Sequence, residues 1–289
     1  MTGGPPPAEL AARITADADR ALGRSLGTVS AGAGLWAALQ RDDVDAAAAA
    51  RLLGAAPVLA ATVMRVANSA LFGQRGRVGS LQRAVTTLGL DAVRGIVLAG
   101  SLRHLGRRVD PGLLDPGDWL QHSVATAIAA RRLAEGRLPP AEAEGAFIAG
   151  LLHDLGWAVF ASTQPKAMRA CLAELEAAPA PGAGGCDGIE RAHFGLTHAA
   201  CGALVAAHWG LPAAIPAAIG EHHSSGPPGS GITPLGAVLR LADAAASELI
   251  RPLACEAGWE RPPLSAGDAG FVTDLASETA TLLEALHGR

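Results

Sequence analysis

Sixty-four of the 289 residues are alanine and none is tyrosine. Alanine has the strongest intrinsic helix propensity of any residue. Aromatic residues total only 3%, too few for a sandwich or barrel built on aromatic and β-branched side chains. These two facts predict an all-α chain. Alanine inflates the 49% hydrophobic share without adding much core volume, but a charged share of only 17% excludes wholesale disorder. The length suits one large domain or two small ones.

Apolar periodicity places the helices. Residues 1–8 are rich in Gly and Pro and read as a tail, with a loose helix beginning near Glu9. Leu35 to Gly73 reads as two or three short helices, with Leu59, Val63, Val66, Ala67 and Ala70 on one stripe and a stop at Gly73. Asp91 is a fair N-cap for a helix that puts Val93, Ile96, Val97 and Gly100 on one face. Two Pro-Gly pairs in 105–118 mark a boundary between two lobes, roughly 20–105 and 115–250. Residues 141–160 are apolar nearly all round and predict one central buried helix. Residues 178–188 and 224–231 read as loops, and Thr197–Trp209 as a helix ended by Gly210, with Pro212 opening the next. Thr233-Pro234 is an N-cap followed by proline at the first helical position. A last amphipathic helix starts near Asp268, after a Pro-rich hinge at 261–263.

Charge and cysteine usage bound the partners. The net charge is −4 at pH 7 and the pI about 6.1, which argues against a nucleic-acid or anionic-membrane binder. The four cysteines, Cys171, Cys186, Cys201 and Cys255, show no CxxC spacing and read as small buried apolar residues in a reducing cytoplasm. The N-terminus lacks the charged and apolar regions of a signal peptide, and no apolar run reaches 18 residues, so no membrane span is expected.

The chemistry concentrates in the histidines. His122, His153-Asp154, His198, His222-His223 and Asp243 fall on separate predicted helices of the second half. Imidazole together with carboxylate suits borderline divalent metals such as Zn, Fe or Mn. Neighbours on a helix diverge by about 100°, so His153 and Asp154 would flank two spots rather than point at one. A carboxylate can bridge two ions, and the seven residues therefore suit a dinuclear site. A metal-free scaffold of mutually hydrogen-bonded polar groups is the alternative.

In that order, these residues resemble the H…HD…H…HH…D signature of the HD metal-dependent phosphohydrolase superfamily. The stretch from Val63 to Leu102, with Arg65-Val-Ala-Asn-Ser-Ala-Leu-Phe-Gly73, resembles the HDOD domain, the HD-related output domain of bacterial signalling proteins. Leu196-Thr-His-Ala199, Gly202, Trp209-Gly-Leu-Pro212 and Glu221-His-His223 are also similar to that family. The resemblance covers about 25–245. It implies a flexible tail (1–20), an HDOD domain over 21–250 (an N-terminal helical bundle, 21–110, packed on an HD-like lobe, 111–250) and a C-terminal extension (251–289) with one helix.

The resemblance further implies a cytoplasmic bacterial regulator acting through a protein partner or a nucleotide ligand, with a retained divalent-metal site, mononuclear or dinuclear, on the seven residues. Input would come from a separate partner or a bound ligand, since no receiver, kinase or cyclase pattern occurs. The rival is an active phosphohydrolase with Asp154 bridging two metals. Related HD-GYP proteins hydrolyse cyclic di-GMP, but this chain has no tyrosine for the GYP motif, and Trp157 stands where their HDxGK pattern has lysine. A tryptophan cannot supply a cation to a phosphodiester.

Other residues carry plainer expectations. Asn68 and Ser69 are read as capping or backbone hydrogen-bonding groups, and Arg75, Arg77, Arg83 and Arg94 as solvated surface. Glu190 is read as a surface glutamate, with a carboxylate close to the metal ligands as the alternative. His104, His193, His208 and His287 match no ligand position, and His208 suits a helix C-terminus.

Overall fold

The computed structural model describes residues 8–27, 35, 38–39, 41, 43–68, 78–106, 109–177, 185–224, 231–249 and 269–287. Every regular element among them is a helix. Ser69, Arg75, Arg77 and Cys255 lie outside the described residues, as do the side chains of His104 and His287 and most of the expected loops and hinge.

The N-terminal half comprises α1 (Ala8–Gly27), α2 (Ala46–Gly54), α3 (Pro57–Ala67), α4 (Leu81–Leu88) and α5 (Leu90–Gly106). The flexible tail expected over 1–20 is overturned from residue 8 onward. Leu10, Ile14 and Ala18 recur every four residues, and Ile14 and Ala18 are buried. Asp19 pins α1 to the far lobe, accepting from His208 Nε2 at 2.8 Å and from Trp209 Nε1 at 3.4 Å. His208 is the last residue of its helix, as expected, but its partner is this carboxylate.

Helix α3 stops at Ala67, before Gly73, because Asn68 caps it. The Asn68 amide donates to Met64 O and Val78 O, and its Oδ1 accepts from Val78 N at 2.8 Å. The backbone role expected for Asn68 is therefore the one observed. Asp91 is not an N-cap: α4 and α5 are joined by Gly89 alone, whose φ of 80° makes the tight turn, and Asp91 falls inside α5. Val93, Ile96 and Val97 are buried on one face as expected.

The second half comprises α6 (Pro116–Ala134), α7 (Pro140–Leu152), α8 (Leu155–Thr163), α9 (Pro165–Ala177), α10 (Gly185–Phe194), α11 (His198–His208), α12 (Ala214–Glu221) and α13 (Pro234–Ser247). Asp115, Thr197 and Thr233 cap α6, α11 and α13 with side-chain oxygens. Pro212 precedes α12 by two residues instead of opening it. The stretch Gly145–Thr163 is apolar and long enough to cross a membrane by composition, but 89% of it is buried inside the bundle. It is not one helix: His153-Asp154 interrupt it, separating α7 from α8. Helices α6, α7 and α13 pack on one another, and α11 packs on α8 and α12. The C-terminal α14 (Ala269–His287) lies against α6 and α3. One apolar cluster, from Ile14 to Leu286, runs through both halves.

Candidate metal centre

The seven expected residues converge at the middle of the second half. His122 comes from α6, His153 and Asp154 from the α7–α8 break, His198 from the start of α11, His222 and His223 from the turn after α12, and Asp243 from α13. His122, His153, Asp154, His198 and His222 are buried.

The ligand atoms sort into two groups that share Asp154. His122, His153 and Asp154 form one, and Asp154, His198, His222 and His223 the other, with the donor atoms of each within 4.8 Å of one another. On the first side, His153 Nε2 lies 3.2 Å and His122 Nε2 3.8 Å from Asp154 Oδ2. Asp243 Oδ1 closes that side, 3.0 Å from His122 Nε2 and 3.7 Å from His153 Nε2. On the second side, Asp154 Oδ1 is 3.5 Å from His198 Nε2 and 3.8 Å from His222 Nε2, and His223 Nε2 is 3.0 Å from His198 Nε2.

The break at 153–154 overturns the expectation that a helix would keep His153 and Asp154 pointing apart. Asp154 has φ −99° and ψ 16°, and Trp157 N reaches Asp154 O at 3.2 Å in a three-residue step. The turn folds the Asp154 side chain back so that one oxygen meets His153 while the other faces α11. Adjacent residues thus share one cluster.

Backbone and carboxylate acceptors orient the rings. His153 Nδ1 donates to Gly150 O at 2.8 Å and His222 Nδ1 to Ile219 O at 2.6 Å. His198 Nδ1 lies within 3.0 Å of both Glu190 oxygens. A proton held at Nδ1 leaves Nε2 with its lone pair aimed inward.

Glu190 is not a surface glutamate: it is fully buried. Cys186, Glu190 and Phe194 recur every four residues of α10 and are all buried, so the signal was a carboxylate on an apolar stripe. Cys171, Cys186 and Cys201 are buried as expected. Burial first, and then the Glu190 charge, pushes the Cys171 thiol up to about 12.

Two glycines permit the packing. A Cβ on Gly150 would come 2.6 Å from Ala127 Cα, so α6 and α7 cross there backbone to backbone. A Cβ on Gly156 would overlap the carbonyl of His198 and stand 2.7 Å from its Cα. The indole of Trp157 stacks on the His198 ring, centroids 4.7 Å apart and planes 19° off parallel.

The electrostatics suit a cation. Burial alone would raise Asp154, but the facing imidazoles, His153 foremost, hold it well below the usual carboxylate range. Burial lowers His153, and the charges of Asp154 and Asp243 outweigh it, leaving a raised pKa. Burial and the neighbouring rings hold His222 below its ordinary value and His223 well below. Among the described residues, Asp154 Oδ1 and Oδ2, His222 Nε2 and Asp243 Oδ1 are buried and make no well-formed hydrogen bond. Leaving a charged carboxylate so is costly unless a cation meets it. The residues present fit a divalent metal.

A helical bundle around an interdigitated histidine–aspartate centre is the arrangement of an HD-type protein. The HDOD-domain family model matches residues 33–225, and the chain belongs to that family. No curated protein matches it. The fold is similar to that of a candidate phosphohydrolase from Shewanella amazonensis SB2B (23% identity, TM-score 0.64, 92% of this chain and 95% of that one). It is also similar to an HDOD domain protein of unknown function from Geobacter sulfurreducens (22%, 0.60, 94% and 90%). A candidate metal-dependent phosphohydrolase from Shewanella amazonensis SB2B follows at 18%, 0.55, 88% and 90%. Identities this low carry the fold alone.

Proposed function

We propose that this HDOD protein is a bacterial signalling module whose buried centre holds two divalent cations bridged by Asp154 and acts through contact with a protein partner. One observation carries the metal reading: among the described residues the two oxygens of a fully buried carboxylate make no well-formed hydrogen bond, and each faces its own set of imidazoles. His122, His153, Asp154 and Asp243 would hold one cation, and Asp154, His198, His222 and His223 the other. Nitrogen- and oxygen-rich sets of this kind suit Fe, Mn or Zn. When bound, the cations neutralise the two aspartates and tie α6, α7, α11, α12 and α13 to one point.

Burial of the centre supports regulation over turnover. Asp154, His153 and His198 are each 0% exposed, so any approach to a bound cation would pass Asp243, 13% exposed, or the half-buried His223. Trp157, flat on His198, offers no cation to a phosphate. On this reading the first lobe, where the family resemblance is most specific, contacts the partner, with a nucleotide as the other candidate ligand.

Elemental analysis of the full chain after reconstitution with Mn, Fe(II) or Zn tests the proposal. The expected result is about two equivalents for the wild type and loss of both in Asp154→Asn; less than about one-tenth equivalent in the wild type would end the metal reading.

The ligand set itself favours a second reading, a metal-dependent phosphohydrolase in which such a pair clamps a phosphate. Multiple turnovers of bis(p-nitrophenyl) phosphate or cyclic di-GMP with Mn or Fe(II), abolished by Asp154→Ala, would establish it. Regulation predicts none.

A further inference from the structure

His198 is held differently from the other imidazoles of the centre. His153 and His222 give their Nδ1 protons to neutral backbone carbonyls. The His198 Nδ1 faces a carboxylate, 3.0 and 2.9 Å from Glu190 Oε1 and Oε2, and the His198 backbone N–H also donates to Glu190 Oε2. Among the described residues, both N–H groups reaching Glu190 come from this one histidine. Trp157 covers one face of the ring, and the backbone of α8 abuts His198 at Gly156.

A carboxylate buried this fully needs compensating donors. The backbone N–H alone would satisfy one oxygen and leave the ring free to choose its tautomer. Gripping Nδ1 as well fixes that proton, leaves the lone pair on Nε2 and makes the ring a stronger electron donor. That Nε2 is the atom 3.5 Å from Asp154 Oδ1 and 3.0 Å from His223 Nε2.

We infer that Glu190 is a positioning residue that sets the tautomer and orientation of His198, and so governs cation occupancy on the His198–His222–His223 side and not on the His122–His153 side. The inference rests on the two-cation reading for its consequence, but not for the tautomer itself.

The experiment pairs ¹⁵N-imidazole spectra of the metal-free full chain with Zn titrations of wild type and Glu190→Gln. Glutamine keeps the shape but presents one acceptor oxygen where glutamate has two. The wild type should show His198 protonated at Nδ1 and free at Nε2. In Glu190→Gln one cation should weaken about 10–100-fold while the other holds within about threefold. Unchanged affinity for both cations, equal loss of both, or an Nε2-protonated His198 in the wild type would each overturn it. If Glu190→Gln fails to fold, the wild-type tautomer alone decides. If the wild type takes up no cation but shows the Nδ1–H tautomer, the metal reading fails and the positioning role of Glu190 stands.

Discussion

At the scale of the residue, Asp154 and the imidazoles around it make the metal-free protein sensitive to acid. His222 lies below its ordinary value of 6.5 and His223 well below, so at these sites the folded protein binds fewer protons than the unfolded chain. Stability from that pair is present above pH 6.5 and is lost as pH falls. His153 has the opposite sign: its raised pKa contributes stability below pH 6.5 that is lost as pH rises through the folded value. His223 is displaced well below its ordinary value whereas His153 is only raised, so the loss from His222 and His223 sets the direction. The chelator-treated protein should therefore unfold at a lower temperature at pH 5 than at pH 7. A higher midpoint at pH 5 would contradict the assigned environments of His222 and His223. The seven candidate ligands were readable because the chain has only nine histidines, and five of them fall with two aspartates in a recognisable order. Glu190 was read the plainer way, although Cys186 and Phe194 set it on an apolar stripe, because only the packing of α10 settles which side that helix buries.

At the scale of the element, the close approach of α8 to α11 turns on one absent side chain. Gly156→Ala drives a methyl into the His198 backbone, which lies at a helix start and cannot swing away. Overpacking of this kind costs about 1–3 kcal/mol. The displacement should also move the His198 ring, so the same variant is expected to weaken one cation. Gly54→Ala is the control: nothing lies within 4 Å of the new methyl at the end of α2, and its φ is ordinary. Helix propensity then favours alanine by up to about 1 kcal/mol. Thermal unfolding of the two variants should move in opposite directions, and equal shifts would refute the packing argument. The α7–α8 break shows why periodicity misjudged this region. Residues 145–163 are apolar nearly all round, and hydrophobicity does not register the turn at His153-Asp154.

At the scale of the whole molecule, α14 straps the two halves together. Arg65 Nε on α3 donates to Ala285 O at 2.7 Å, Arg132 on α6 pairs with Glu278 at 2.6 Å, and Arg132 lies 5.8 Å over the Phe271 ring. Leu275, Leu282 and Leu286 are buried in the shared core. Each buried leucine contributes roughly 1.5–3 kcal/mol before the ordering of the helix is deducted. Deleting 269–289 should therefore lower the unfolding midpoint clearly, while reconstituted metal content stays at the wild-type level because no candidate ligand lies on α14. Loss of metal in a truncated but folded protein would show that the strap also shapes the centre. Helical class, most helix starts and the candidate ligands were determined by the sequence, because propensity, capping and side-chain chemistry are local. The folding of residues 8–20 onto α11, the break at 153–154, the burial of Glu190 and the division of the ligands about Asp154 were decided only by tertiary packing. Each of these depends on a surface supplied by residues distant in the chain, which a local pattern can point toward but cannot settle.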